Sequence, residues 1–307
     1  MSGLATPDAQ MAVSVRGLTK RYGGQVAVDG LSFDVPAGRV VGFLGPNGAG
    51  KSTTLRMIVG LTAPSAGTAT ILGRPLREHD EPARAVGSIV DGVGFHPGRR
   101  AIEELRLSAR TVGLPRERCE EVLALVGLSD AAHKRIGTYS LGMQQRLGIA
   151  RALLGDPAVL LLDEPANGLD PGGIRWIRTL LRDLADRGRA VLVSSHLIGE
   201  MARLADDVIV IHQGRMIAQA PVAQITSTAA LGSVRVAGRD DEALAAGLRA
   251  RGAQVDIDAA GLDVVGLPAE EIGLIALEAG IVLHELHTGG SELEDAFLTM
   301  TADGGIA

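Results

Sequence analysis

Residues 45–52 read Gly-Pro-Asn-Gly-Ala-Gly-Lys-Ser, inside the stretch VVGFLGPNGAGKSTTL, and match the pattern G-x-x-x-x-G-K-[ST]. This motif constrains the fold because it works only where an apolar strand runs in and a helix runs out. The glycines between them let the backbone curl until successive N–H groups face one concavity. Both flanks are present: Arg39 to Leu44 is apolar and stops at Gly45, and helical spacing runs from Lys51 to Gly60. Such a cradle binds phosphate. Gly45, Asn47, Gly48, Ala49 and Gly50 supply the loop, and the following helix adds its positive end. Lys51 reaches the β- and γ-phosphates and Ser52 ligates Mg²⁺. Thr53 is either a contact to the α-phosphate or an ordinary first-turn residue.

Along the chain, short apolar runs alternate with helical patterns, the rhythm of an α/β domain. Strands are predicted over Val13–Gly17 and Leu31–Val35, flanking a Gly23-Gly24 turn, and helices over residues 102–112, 116–126, 141–154 and 172–185. AVLLLD (Ala158–Asp163) and AVLVSS (Ala190–Ser195) are apolar on both faces and too short for helices, so they read as buried parallel strands. A phosphate cradle of this type needs a carboxylate at the end of a neighbouring strand to hold the hydrated Mg²⁺. LLLDEP offers Asp163 for the metal and Glu164 as general base on the attacking water. Two carboxylates closing a buried strand are costly unless they meet a cation or a water to polarise, although Pro165 also suits a surface acidic turn. His196 closes the next strand, VLVSSH, and is placed to contact the γ-phosphate.

A net charge of -6 gives no support to binding driven by nucleic-acid phosphates. The single cysteine, Cys119, excludes an intrachain disulfide framework and fits a reducing cytosol. The longest uncharged run, residues 57–73, is broken by Gly60, Pro64 and Gly67, so no membrane span is expected. The first ten residues carry neither a basic nor an apolar leader region. After about Ile225 the texture changes. TSTAALGS reads as a linker, followed by a βαββαβ pattern with strands at 234–237, 255–257, 262–265 and 281–285 and helices at 241–251 and 269–279. A last helix is predicted from Glu292, with Ser291 and Glu294 forming a capping box.

With GPNGAGKST, YSLGMQQR, LLLDEPANGLDP and SSH in this order, the chain resembles ATP-binding cassette (ABC) ATPases over residues 12 to 225. The resemblance implies a P-loop NTPase cassette with a mixed sheet core and a helical subdomain. Residues 226–307 would then form a small α+β, ferredoxin-like accessory domain. It implies that Tyr22, 29 residues before Lys51, stacks on adenine, the alternative being a satisfied hairpin tyrosine. It makes Asp170 a residue reaching across to a partner cassette, and it makes Tyr139–Met143 the family signature, usually L-S-G-G-Q. In this family that stretch receives the γ-phosphate of ATP held by a second cassette. Ser140 keeps the hydroxyl donor and Gly142 admits the phosphate, while Met143 cannot complete a capping box.

At the family's glutamine near Mg²⁺ this chain has Asp91, either an oxygen donor to a metal-bound water or a cap of the Gly92 turn. The L-G-M signature and the replaced glutamine are similar to those of bacitracin- and daunorubicin-type exporter cassettes. The implied protein is an ATPase subunit of a bacterial exporter, using ATP and Mg²⁺ at the cytoplasmic face of the cell membrane. Its partners would be a second cassette, expected to be a copy of itself, and a separate integral-membrane permease. The alternative, a soluble cassette protein acting on ribosomes or nucleic acid, expects two cassettes in one chain, a long insertion or a basic face, none of which is seen.

Overall fold

The structure is a computed structural model that describes residues 11–196, 198–223, 234–258 and 261–288. It divides into two compact units, one of Met1–Leu197 with Arg203–Gln219 and one of Ile198–Ala202 with Ala220–Ala307. The predicted 226–233 linker and the capping box at Ser291–Glu294 lie outside the described residues.

The larger unit stacks two sheets. Strands β1 (Met11–Tyr22), β2 (Gln25–Pro36) and β4 (Ala66–Ile71) form an antiparallel sheet in the order β2-β1-β4. The second sheet contains β3 (Val40–Leu44), β5 (Val86–Ile89), β6 (Val159–Asp163), β7 (Ala190–Ser195), β8 (Asp207–His212) and β9 (Arg215–Pro221). Its order is β5-β6-β7-β3-β8-β9, parallel from β5 through β8. The double-sided apolar runs are its interior: Val159 to Leu162 are fully buried, and every residue of β7 is buried. Val13, Val15, Leu18 and Phe33 of the first sheet share a core with Val41, Phe43, Leu161 and Leu192 of the second, and Phe33 and Phe43 meet with ring centroids 5.5 Å apart. Each such side chain contributes about 1.5–3 kcal/mol by leaving water.

Helix α1 (Lys51–Ile58) follows β3, and α2 (Pro82–Ala85) precedes β5. Between β5 and β6 the chain makes a helical layer of α3 (Ala101–Thr111), α4 (Glu117–Leu125) and α5 (Leu141–Ala152). Helix α6 (Pro171–Asp186) buries Ile177, Leu180, Leu181 and Leu184, a stripe at helical spacing, and α7 (Ile198–Ala202) follows β7. The spacing predicts β1 to end at Gly17, but the strand runs on to Tyr22. Gly17 has φ 57 and sits at a register shift, so it is a bulge inside the strand and not its end.

The second unit is β10 (Val234–Gly238), α8 (Asp241–Ala250), β11 (Gln254–Asp258), β12 (Gly261–Val265), α9 (Ala269–Glu278) and β13 (Leu283–Thr288). Its sheet order is β11-β12-β10-β13, with antiparallel neighbours throughout, over a core of Val236, Leu244, Leu248, Leu262 and Ile272. The last strand starts two residues later than the predicted Ile281. Gly280 has φ 68, and the N–H groups of Gly280 and Ile281 bond to the carbonyls of Leu277 and Ala276. That paired bonding closes the end of α9, so Ile281 belongs to the helix cap.

Candidate nucleotide site

The loop leaving β3 opens into a cleft of about 510 Å³ lined by Pro46, Asn47, Gly48, Gly50, Lys51, Ser52 and Thr53, with Tyr22 and Glu164 on its walls. Gly48 (φ 83) and Gly50 (φ 103) make the left-handed turns that the curl requires, and Gly50 caps α1. Two predicted loop residues act from behind. The Ala49 methyl is buried in the core, and Gly45 presents its carbonyl to Lys51. Lys51 is 6% exposed; its ammonium donates to Gly45 O at 2.7 Å and Pro46 O at 3.3 Å, and lies 3.4 Å from Glu164 Oε1. The phosphate-seeking cation is thus held among acceptors within the cradle. Tyr22 ends β1, half-exposed, with the Lys20 ammonium 4.9 Å from its ring centroid. Gln25, Val26, Ala27 and Gln213 complete the cleft and carry no motif that marks them in the sequence.

The acidic end of the site differs from the expectation in one respect. Strand β6, which carries Asp163, is not the neighbour of β3, because β7 lies between them. The parallel register sets Ser194 of β7 opposite Asp163. Its hydroxyl donates to Asp163 Oδ1 at 2.5 Å and accepts the Glu164 N–H at 2.9 Å. One buried serine therefore orients both carboxylate residues. Glu164 itself has φ 48, a strained value for a non-glycine residue of the kind found at functional sites. Its Oε2 lies 2.9 Å from His196 Nδ1, so the predicted base and the predicted γ-phosphate contact are already partnered. Ser194→Ala removes the hydroxyl that orients both carboxylate residues, so turnover of nucleotide should fall by about 10–100-fold. Steady-state phosphate release checks this, and a parent-like rate would reduce Ser194 to a packing residue.

Asp91 follows β5 with φ 64, and both its carboxylate oxygens are taken by Arg56 of α1: Nε–Oδ2 is 2.6 Å and Nη2–Oδ1 is 2.5 Å. That hydrogen bonding is the main cause raising the Arg56 pKa above the ordinary guanidinium value. The Asp91 carboxylate is thus paired with a cation that no sequence motif announces.

The signature lies in a second hollow, of about 570 Å³, lined by Ser140, Leu141, Gly142, Met143, Gly168, Leu169 and Asp170. Ser140 is the N-cap of α5 and accepts the Met143 N–H at 3.2 Å. Asp170 likewise caps α6, accepting the Gly173 N–H at 2.8 Å. Tyr139 is buried, with its hydroxyl donating to Ala131 O at 2.7 Å; burial pushes its pKa up. A Cβ on Gly142 would stand 3.4 Å from Leu169 Cδ2 and 4.0 Å from Ser140 Oγ, in ordinary van der Waals contact. None of the residues lining this hollow lines the Lys51 cleft.

A family model described as ABC transporter matches residues 28–167. The bacitracin transport ATP-binding protein BcrA of Bacillus licheniformis is 45% identical over 207 residues, 66% of this chain and 68% of that protein. The Nod factor export ATP-binding protein I of Paraburkholderia xenovorans (strain LB400) is 37% identical over 301 residues, 96% of this chain and 98% of that protein. The chain belongs to the ABC transporter ATP-binding family. Its cassette fold agrees with solved structures: an ATP-binding subunit of an ABC transporter superposes with a TM-score of 0.64 at 29% identity, covering 71% of this chain and 92% of that one. A dimeric bacterial ABC transporter cassette gives 0.63 at 27% identity, covering 68% and 98%. Members of this family hydrolyse ATP. A second model, described as a domain of unknown function (DUF8746), matches residues 232–294.

Proposed function

We propose that this ABC ATPase is the engine of a bacterial exporter, working as half of a cassette pair against a separately encoded permease at the cytoplasmic face of the membrane. The observation that carries the reading is the division of phosphate chemistry between two hollows. One holds the glycine loop, Lys51 and Glu164; the other offers Ser140, the Gly142 backbone and the N-terminus of α5, with Arg146, Asp130 and Asp170 on its walls. Two hollows that share no residue are what a chain needs to hold one ATP by its loop and to cap a partner's ATP with its signature. Asp170, capping α6 beside the signature, stands at the same face.

In this reading Tyr22 stacks on adenine, the loop amides and Lys51 bind the β- and γ-phosphates, and Thr53 lies near the α-phosphate. Ser52 and Asp163 supply the hard oxygen donors that Mg²⁺ prefers, and the bound ion would neutralise phosphate charge. Glu164 accepts a proton from the attacking water and His196, touching its second oxygen, steadies the γ-phosphate. Export as the direction is supported by relatives whose names record bacitracin transport and Nod factor export. Residues 226–307 form an accessory domain, and the strand order of its described part supports a ferredoxin-like βαββαβ fold.

Pairing is checked in a Glu164→Gln background, where bound ATP should persist. That variant should run as a dimer with ATP and Mg²⁺ in size-exclusion chromatography. Adding Ser140→Glu should return it to the monomer while ATP binding is kept, because a carboxylate would face the incoming phosphate. Monomers in both backgrounds would refute the pairing. A neighbouring gene for a protein with about six spans of roughly 20 apolar residues is the matching genomic expectation.

A further inference from the structure

Arg56 has no place in the motifs of the sequence or in the cleft described above, yet it sits at a junction. It lies four residues beyond Ser52 on α1, so the two share a helix face, one turn apart. Its guanidinium forks onto Asp91 at 2.6 and 2.5 Å, where the chain leaves β5 through two left-handed residues, Asp91 (φ 64) and Gly92 (φ 81). The loop that begins there is fastened to α5 and to the segment entering it. Arg151 of α5 donates to Val93 O at 3.0 Å and lies over the Phe95 ring at 4.7 Å. Gly148 of α5 leaves the room that Val93 fills, since a Cβ there would come within 2.2 Å of Val93 Cγ1. The loop carbonyls of Pro97 and Arg99 accept from Gly137 and Ile136, just before Ser140.

We infer that Arg56 is a positioning residue for ATP hydrolysis: it ties the P-loop helix to the loop that seats the signature helix, so that nucleotide held at the start of the P-loop helix sets the position of Ser140. The link is specific to the fork geometry. An ammonium is a point charge that cannot bind both carboxylate oxygens in plane, so lysine replaces the charge but not the alignment. As a half-exposed pair it adds little to stability, which makes a positioning effect separable from unfolding. The inference rests on the reading that Ser140 acts on a phosphate, and the test separates the two.

The 307-residue chain carries one tryptophan, Trp176, whose ring lies 4.2 Å from the Arg146 guanidinium of α5, so its emission follows that helix. The parent, Arg56→Ala, Arg56→Lys, Asp91→Ala, the Arg56→Ala/Asp91→Ala double variant and the swap Arg56→Asp/Asp91→Arg are compared for ATPase rate, KM for ATP and the change in Trp176 emission on adding ATP and Mg²⁺. Either alanine variant should lose about tenfold in kcat with KM changed less than about twofold, and lose the emission change. The double variant should be no slower than the singles, because both remove the same link. Arg56→Lys should stay within about twofold of Arg56→Ala, and the swap should recover at least about threefold. Parent-like kcat in the alanine variants, multiplicative losses in the double variant, or an emission change that persists without Arg56 would overturn the inference. A parent whose emission does not respond to nucleotide would overturn it as well. If Glu164→Gln still dimerises with ATP while the Arg56 variants behave as parent, the positioning role fails and the pairing stands.

Discussion

Replacing Glu164 with glutamine should lower ATP turnover by about 10²–10⁴-fold, the usual worth of a positioned general base. The substitution keeps the shape and one acceptor oxygen, so contacts built on geometry survive while the capacity to take a proton from water is lost. Glu164 also lies 3.4 Å from the Lys51 ammonium and 2.9 Å from His196 Nδ1, so its charge is shared between both flanks of the cradle. Removing that charge frees Lys51 from an anionic competitor, although Gly45 O and Pro46 O still hold it. ATP affinity should therefore stay level or rise as turnover collapses. Phosphate-release kinetics beside a nucleotide titration separate the two effects. A variant that turns over like the parent would take the role of base away from Glu164.

Gly50→Ala should cost about 2–4 kcal/mol of stability and weaken ATP binding at least about tenfold. The residue has φ 103, and a Cβ there would stand 2.5 Å from Ala27 O and 3.3 Å from Val28 Cγ2. Ala27 and Val28 belong to β2, which is bound to β1 along its length, so the strand cannot move aside and the loop must. Gly48→Ala is the control: its φ is 83 but nothing lies within 4 Å of the added carbon, so it should cost only about 1–2 kcal/mol. Thermal unfolding and nucleotide titration of the two variants check the difference. Equal losses would mean that backbone strain, and not the approach of β2, dictates glycine at position 50.

The cradle was legible because it is local. A strand, a curl of glycines, a lysine and a helix start are consecutive, and Gly45 to Ser52 carry their geometry with them. The double-sided apolar runs ending in Asp163 and Ser195 were legible for a similar reason, since burial on both faces writes itself as unbroken hydrophobicity. Residues that act across the fold left no such trace. Ser194 reads as one small residue of VLVSSH until the β6–β7 register sets it against Asp163. Arg56 reads as one more surface cation until the loop after β5 returns Asp91 to it. Expecting the Asp163 strand to adjoin the P-loop strand failed because strand order is set by how crossovers pack on the sheet, which no single run records.

The sequence by itself determined the local arrangements on which the nucleotide reading rests, namely a glycine loop with its lysine and serine, two carboxylates closing a buried strand, and a serine-capped helix start. Each is a short-range arrangement in which spacing is geometry. Only the tertiary structure decided who partners whom: that Lys51 rests against Glu164, that Ser194 orients both acidic residues, that Asp91 belongs to Arg56, and that the signature and the P-loop occupy separate hollows. Those pairings join residues as far apart in the chain as Lys51 and Glu164, and their contacts exist only once the sheet has set its strand order and register.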